Sequence, residues 1–445
     1  MKRPTRDLQV RMEGLRLRVD ELGSLRSLVQ LPAERDISRR QWSVIESQLA
    51  VIEARLLARL KRVGRTYLPT AHEPQAAVAL NALLGELELE LARAYTFFDT
   101  YMDILTQRHP PLLGRLLAGC DVLAWDAINR EHPALAIVEP PLVFCDRGFG
   151  AATIRESVKL PDGSPNPMPI IQIPYSRLKE KYNLTSVIHE VGHEMMVRLG
   201  LVRTLPEALR VALARSGASR TLQDYFALWS SEIGPDFWGF CASGVAAAGG
   251  IKEILALPPS NVFRVTWTDP HPPPYLRVLL VFEWCRRTWG ADPVDTWQEE
   301  WREYYPLSGA PPEVRGLLRE SVSCIPAVTD ALFQTRFRVL NGRKIPDLFS
   351  LDLLAPARLR PIAAQAESGA MDLRGLRPSA QLAVFRLVKE GGRLPEEKLD
   401  RLMTSWLLNL AQPSGLSERP GQSEPSEPSG PQSLTEKEGQ HVAAR

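Results

Sequence analysis

The sequence predicts an α+β protein that is predominantly α-helical, with a small β-sheet between two helical parts. Apolar residues recur at the three-four spacing of amphipathic helices over most of the chain. Two short segments rich in β-branched residues and bounded by prolines, at 140–145 and 169–174, have the character of strands. Helical periodicity resumes directly after the second of them and continues to about residue 410.

Composition indicates an ordinary globular protein without a strongly charged surface. The 445 residues allow two or three domains. The 54 basic residues are almost matched by 52 acidic ones, so no overall field attracts nucleic acid or a membrane surface. The five cysteines are scattered and form no CxxC pair, which argues against a disulfide framework and against a cysteine zinc site. We therefore expect a reducing compartment and no nucleic-acid partner.

We expect no signal peptide at the N-terminus and no membrane span. The first residues are charged and lead into an amphipathic helix rather than into an apolar signal segment. No apolar run approaches the length of about 18 residues that a membrane span needs. Segment 413–445 is rich in Ser, Pro, Glu, Gly and Gln, which predicts a disordered tail. We expect a soluble, cytoplasmic protein.

The first 135 residues are predicted to be helical throughout. A run at 7–29 and a second run from Ser38, a good N-cap, to Gly64 each carry one apolar stripe, so that 1–66 forms a helical hairpin. The hairpin is either a coiled coil that binds a partner or dimerises, or two helices that pack on each other and on the body of the protein. Two more helices are expected within the helical region 67–135.

A His-Glu-x-x-His motif lies in the helical segment after the second strand. His189 and His193 stand four positions apart, so both imidazoles can face one metal ion, while Glu190 is rotated by about 100° and can reach a water on that ion. This pattern predicts a zinc hydrolase with a general base. The plainer interpretation is a pair of histidines with ordinary hydrogen bonds. We expect Asn183 to cap this helix and Gly200 to end it.

A second acidic element follows as Glu232-x-x-x-Asp236. A catalytic zinc usually takes three protein ligands, and Glu232 is the candidate for the third. Asp236 could then accept the outer N–H of a ligand histidine and fix its tautomer. The alternative is a pair of solvated helix acids. Gly234 and Pro235 lie between them, so the helix either starts near Pro235 or is kinked there, and Asp236 stays open as an alternative ligand.

A third element is a histidine in a rigid proline frame just before a helix, within 268–277. His271 or Tyr275 could donate a hydrogen bond to a developing oxyanion, and Arg277 could support the site electrostatically. The alternative is a proline-rich loop with a surface histidine. The three elements together carry more weight than each does alone.

These elements, in this order, resemble those of the gluzincin metallopeptidases, most closely the family of the CaaX prenyl proteases and the heat-shock protease X. The resemblance covers roughly 138–280 and implies a zincin-like core, which we place at 136–345, followed by C-terminal helices at 346–412. It implies that Asn166 and the strand through Ile173 pair with a peptide. The familiar members are embedded in membranes, so their substrates do not carry over. The roles implied are zinc ligands for His189, His193 and Glu232, general base for Glu190, support of a ligand for Asp236, and transition-state contacts for His271 and Arg277.

Three hypotheses follow from the sequence. The first is a zinc-dependent hydrolase, a metallopeptidase acting on a peptide or protein, in which Glu190 takes a proton from zinc-activated water. The second is a helical scaffold or interaction protein whose metallopeptidase-like core is structural or inactive. The third is a protease for one dedicated protein partner, delivered by the N-terminal helices.

Overall fold

The computed structural model describes residues 3–128, 132–135, 139–148, 150–155, 159, 165–392 and 394–412. The chain is predominantly helical with one small sheet, so the predicted fold class is confirmed. Within the described ranges, no helix combines the length and the apolar character that crossing a membrane requires. The tail predicted at 413–445 lies outside the described residues. In chain order the helices and strands are α1 (Arg3–Asp20), α2 (Leu25–Val29), α3 (Arg39–Tyr67), α4 (Pro74–Thr106), α5 (Pro111–Ile128), β1 (Leu142–Cys145), β2 (Ala152–Ile154), β3 (Ile170–Ile173), α6 (Thr185–Arg198), α7 (Leu201–Arg215), α8 (Arg220–Ser243), α9 (Val245–Ile254), α10 (Pro259–Val262), α11 (Pro274–Trp289), α12 (Val294–Tyr304), α13 (Pro312–Gln334), α14 (Pro356–Ala364), α15 (Pro378–Glu390) and α16 (Glu396–Leu410).

The N-terminal helices form a core of their own. Helix α4 packs against both α1 and α3, and the apolar stripes of all three are buried between them. Ser38 caps α3 as predicted, in a capping box with Gln41. Gly64 allows α1 to come close, because a Cβ at this position would lie 2.4 Å from the Cε of Met12. The apolar stripes therefore pack against one another within the chain, which favours internal packing over a dimerising coiled coil.

The sheet separates this N-terminal core from a second, larger one. Its strand order is β1-β3-β2, with β1 parallel and β2 antiparallel to β3. Side chains alternate between the two cores, since Leu142 and Ile170 face the first and Val143 and Ile171 face the second. The two predicted strands are β1 and β3, whereas the short β2 was not predicted.

Helix α6 lies in the second core among α5, α7, α8 and α9. The predicted cap was wrong: Leu184 occupies the N-cap position, and Asn183 belongs to the 3₁₀ turn before it. That turn keeps the backbone helical, and the Asn183 side chain instead accepts a hydrogen bond from Arg386 at 2.7 Å. The predicted end is confirmed, because Gly200 follows the helix with a φ of 62°.

Helix α8 runs without interruption through the Gly234-Pro235 pair. It begins at Arg220, so a helix that starts near Pro235 is wrong. The pair lies where α6 and α8 approach each other most closely: a Cβ on Gly192 would lie 2.6 Å from the Cα of Pro235, and one on Gly234 would lie 2.7 Å from the Sδ of Met196. Glycine and proline at this crossing bring the two helices of the candidate site together.

Candidate functional site

Three helices and one loop bring the predicted side chains to a common place in the second core. Helix α6 presents successive residues of one face, and α8 crosses that face at Gly192. Helix α11 and the loop before it close the remaining side. The residues brought together are His189, Glu190 and His193 from α6, Glu232 and Asp236 from α8, Arg277 from α11 and His271 from the loop.

Glu232 has the position expected of a third metal ligand. Its carboxylate oxygens lie 3.3 Å from Nε2 of His189 and 3.5 Å from Nε2 of His193. Ligand atoms about 2.05 Å from a tetrahedral zinc are separated from one another by about 3.3 Å, so each of these two distances, one for each oxygen of Glu232, is close to that of two ligands on one ion. His189, Glu190 and His193 also offer ligand atoms within 4.8 Å of one another. Both carboxylates therefore lie near the two imidazoles, and the Glu232 carboxylate faces the Nε2 atoms of both.

Asp236 binds the opposite edge of the first histidine. Its Oδ1 lies 2.8 Å from Nδ1 of His189, and both of its oxygens accept hydrogen bonds from Arg277. Asp236 is 2% exposed, so its charge depends on the Arg277 guanidinium beside it. This is the arrangement that the Glu-x-x-x-Asp spacing predicted, and it leaves Nε2 of His189 free to face Glu232. The geometry disfavours Asp236 as the alternative ligand.

Buried charges shift the pKa values of these groups in opposite directions. Burial alone would lower the pKa of His189, but Asp236 and Glu232 outweigh it and raise that pKa to about 10. Burial together with the neighbouring His189 lowers the pKa of His193 to about 4. Burial alone would raise the pKa of Glu232, but the hydrogen bond to His189 and the charges of His189, Arg277 and His193 together lower it to about 2. Burial raises the pKa of Glu190, which is 5% exposed.

The cluster opens into a cavity of about 710 Å³. The lining of this cavity includes β2 with Arg155 and the apolar residues Ala247 and Ile251 of α9. Among the described strands, β2 pairs with β3 on one side only, so its other edge is unpaired. An extended chain placed in the cavity could therefore pair with β2 beside the histidines.

The loop that carries His271 is anchored by the residues that precede this histidine. Nδ1 of His271 lies 2.7 Å from Asp269, which also binds Arg264 at 2.7 Å. Trp267 stacks on the buried Tyr225, with ring centroids 4.6 Å apart. Nε2 of His271 lies 3.6 Å from Glu232, and the side chain is 54% exposed. His271 is thus held at the mouth of the cavity with one ring nitrogen directed inward.

Two residues named from the sequence do not reach the cavity. Tyr275 is 3% exposed, and its ring packs against Phe263 in the core. Asn166 is buried, where its side-chain amide donates to the carbonyls of Ile154 and Arg155 and its Oδ1 accepts from Tyr101. The strand through Ile173 is the central one, so β2 takes the place expected for it beside the site.

The sequence did not predict the places of four residues in or beside the cavity. Arg155 directly follows β2, Arg177 lies in the 3₁₀ turn after β3, and Asp269 orients His271. Ser186 lies one helical turn before Glu190, on the same face of α6. The spacing of Ser186 was a usable signal, whereas the arginines could be placed only once the strand order was known.

Comparisons of this chain with known protein families, with curated proteins and with solved structures find no match. What the site can do must therefore be argued from its own geometry.

Proposed function

We propose that this chain is a zinc-dependent peptidase of the gluzincin type, with Glu190 as general base. The observation that carries the proposal is the position of Glu232, 3.3 Å and 3.5 Å from the Nε2 atoms of His189 and His193, at the wall of an open cavity. A zinc ion bound by these three residues would act as a Lewis acid and lower the pKa of a coordinated water from 15.7 to about 7.

The residues around this position have separate roles in proton transfer and charge stabilisation. Glu190 is buried, and its raised pKa brings it closer to neutral pH, where a general base works best. His271 presents Nε2 to the cavity while Asp269 holds its other nitrogen, which suits it to donate to an oxyanion in its protonated form. Arg277 fixes Asp236, and Asp236 fixes His189.

The unpaired edge of β2 supports a peptide as the substrate. Ala152 and Thr153 line the cavity on the same side as Arg155. An extended peptide that pairs with β2 would satisfy its own backbone groups and pass beside the histidines. A small ester or amide would leave this edge unused.

The scaffold hypothesis has less support from these observations. It requires either a site blocked by protein or a free binding face on the N-terminal helices. The cluster instead opens into the cavity, and the apolar stripes of α1 and α3 are buried within the chain. Delivery to a single protein partner by the N-terminal helices stays a prediction.

The proposal is tested by zinc content and peptide turnover of Glu190→Gln. We expect about one zinc per chain in both the wild type and the variant. Turnover by the variant should fall by at least about 100-fold, which is the lower end of the range for removal of a general base. Glu194→Gln is the matched control, since Glu194 lies on the same helix but binds Arg198 at 2.9 Å. Bound zinc together with undiminished turnover in Glu190→Gln would refute the mechanism.

A further inference from the structure

One end of the cavity is positively charged and lies next to the proposed reaction centre. Thr185, Ser186 and Arg177 line it at the start of α6, facing Ile251 of α9. Ser186 stands one turn before Glu190, a distance of about 5.4 Å along the helix. A residue of an extended peptide spans about 3.3 Å, so this end is within about two residues of a bond held beside Glu190.

The charge of Arg177 is poorly offset within the chain. The residue is 5% exposed, and its nearest carboxylate, Glu180, is 3.3 Å from Nη1 and half-exposed. Glu253 also acts on it, but that carboxylate is bound to Arg386 at 3.0 Å and to Lys389 at 3.3 Å. Burial outweighs both acids and lowers the pKa of Arg177.

Two polar atoms here have no hydrogen-bond partner among the residues that the structure describes. They are Nε of Arg177 and Oγ of Ser186, and both are buried. Such groups cost stability unless something satisfies them. Among the described residues, the acids that line the cavity are Glu190, Glu232 and Asp236, and all three lie in the histidine cluster rather than at this end.

We propose that Arg177 and Ser186 form an anion subsite that binds a carboxylate of the substrate within about two residues of the scissile bond. This inference rests on the proposed peptidase function and adds a substrate preference to it. A guanidinium and a hydroxyl can both donate to one carboxylate, and an arginine does so with defined geometry. The carboxylate is either the C-terminus of a peptide or an acidic side chain.

The test measures binding without turnover, in zinc-loaded protein that carries Glu190→Gln. Fluorescein-labelled Ala-Leu-Phe-Ala-Leu is prepared as the free acid, as the C-terminal amide, and as amides with Glu at each position in turn. Affinities are measured by fluorescence anisotropy. We expect the acid or one Glu-containing amide to bind about 10- to 100-fold more tightly than the plain amide, as for a hydrogen-bonded ion pair. The acid identifies a terminal carboxylate, and a Glu-containing amide identifies a side chain.

Variants assign this gain in affinity to particular residues. Arg177→Gln should abolish it, Arg177→Lys should reduce it, and Ser186→Ala should reduce it without loss of thermal stability, because that hydroxyl makes no hydrogen bond to any described residue. Arg155→Gln, at the β2 side of the same cavity, should preserve the gain.

Equal binding of acids and amides, no binding of any peptide, or a gain that persists in both Arg177 variants would overturn the subsite. The subsite would also be overturned if Arg155→Gln removed the gain in affinity as fully as Arg177→Gln, because the gain would then come from the general electrostatic field of the cavity. The peptidase proposal fails separately, if wild-type protein cleaves none of these peptides while the gain in affinity still depends on Arg177.

Discussion

Replacing Gly192 by alanine should weaken both the fold and the metal site. The new Cβ would lie 2.6 Å from the Cα of Pro235 and 2.9 Å from its Cβ. Carbon atoms pack best at about 3.5–4.0 Å, so α8 would have to retreat from α6 by about 1 Å. Overpacking of this kind costs about 1–3 kcal/mol, and better helix propensity returns about 0.5–1 kcal/mol. We expect the free energy of unfolding to fall by about 1–2 kcal/mol.

The same retreat would displace Glu232, which precedes Pro235 by one turn of α8. Its separations of 3.3 Å and 3.5 Å from the histidine nitrogens would then exceed those suited to one zinc ion. Because ligands must be held within about 0.5 Å of their productive positions, zinc affinity should fall about tenfold or more. Competition with a chromogenic chelator measures this affinity, and urea unfolding measures the stability.

Gly85→Ala is the control for helix propensity alone. Gly85 lies inside α4, and a Cβ there would have nothing within 4 Å. This variant should be more stable than the wild type by about 0.5–1 kcal/mol, with unchanged zinc affinity. If Gly192→Ala behaves in the same way, the close crossing of α6 and α8 does not constrain the site, and this reasoning is refuted.

Three further outcomes follow from the contacts at the site. Glu232→Ala should abolish stoichiometric zinc and Asp236→Ala should only weaken its binding, as measured by metal analysis after dialysis; the reverse ranking would make Asp236 the ligand. Because its pKa is raised to about 10, His189 is protonated in the metal-free protein at pH 7. Zinc binding should therefore release about one proton, and zinc affinity should increase about tenfold per pH unit between pH 6 and 8. Calorimetry in two buffers counts that proton, and none released would contradict the shift. Asp269→Asn should lower kcat about tenfold at unchanged zinc content, by releasing His271, and an unaltered kcat would exclude this positioning role.

Local spacing was sufficient for the parts of the site that lie on single helices. The four-residue repeat puts His189 and His193 on one face of α6, and the same repeat puts Glu232 and Asp236 on one face of α8. The amphipathic stripes likewise predicted the long helices. The helix that carries Tyr275 was predicted, but the sequence did not show that Tyr275 lies on the face of this helix that packs into the core.

Contacts between distant segments account for what sequence could not provide. The three-residue strand β2 exists only as a partner of β3, and Asn183 is drawn from its expected capping role by Arg386, which lies 203 residues away in the chain. Proline in the interior of a helix, where Pro235 lies in α8, is about 3 kcal/mol less favourable than alanine. Helix propensity takes no account of Gly192 in α6, which packs against Pro235.

The balance of buried charge distinguishes a metal site from a network of ion pairs. His189, protonated in the metal-free protein, and Arg277 neutralise Glu232 and Asp236, and this closed network needs no ion. Glu190 breaks the balance, because it adds a third carboxylate to this cluster and forms no ion pair with a cation among the described residues. Burial raises its pKa, and the charges of Glu232 and Asp236 add to that rise. A divalent cation that displaces the His189 proton adds one net positive charge and restores neutrality. The proposed divalent ion would therefore account for the presence of Glu190, which the stability of the ion pairs does not.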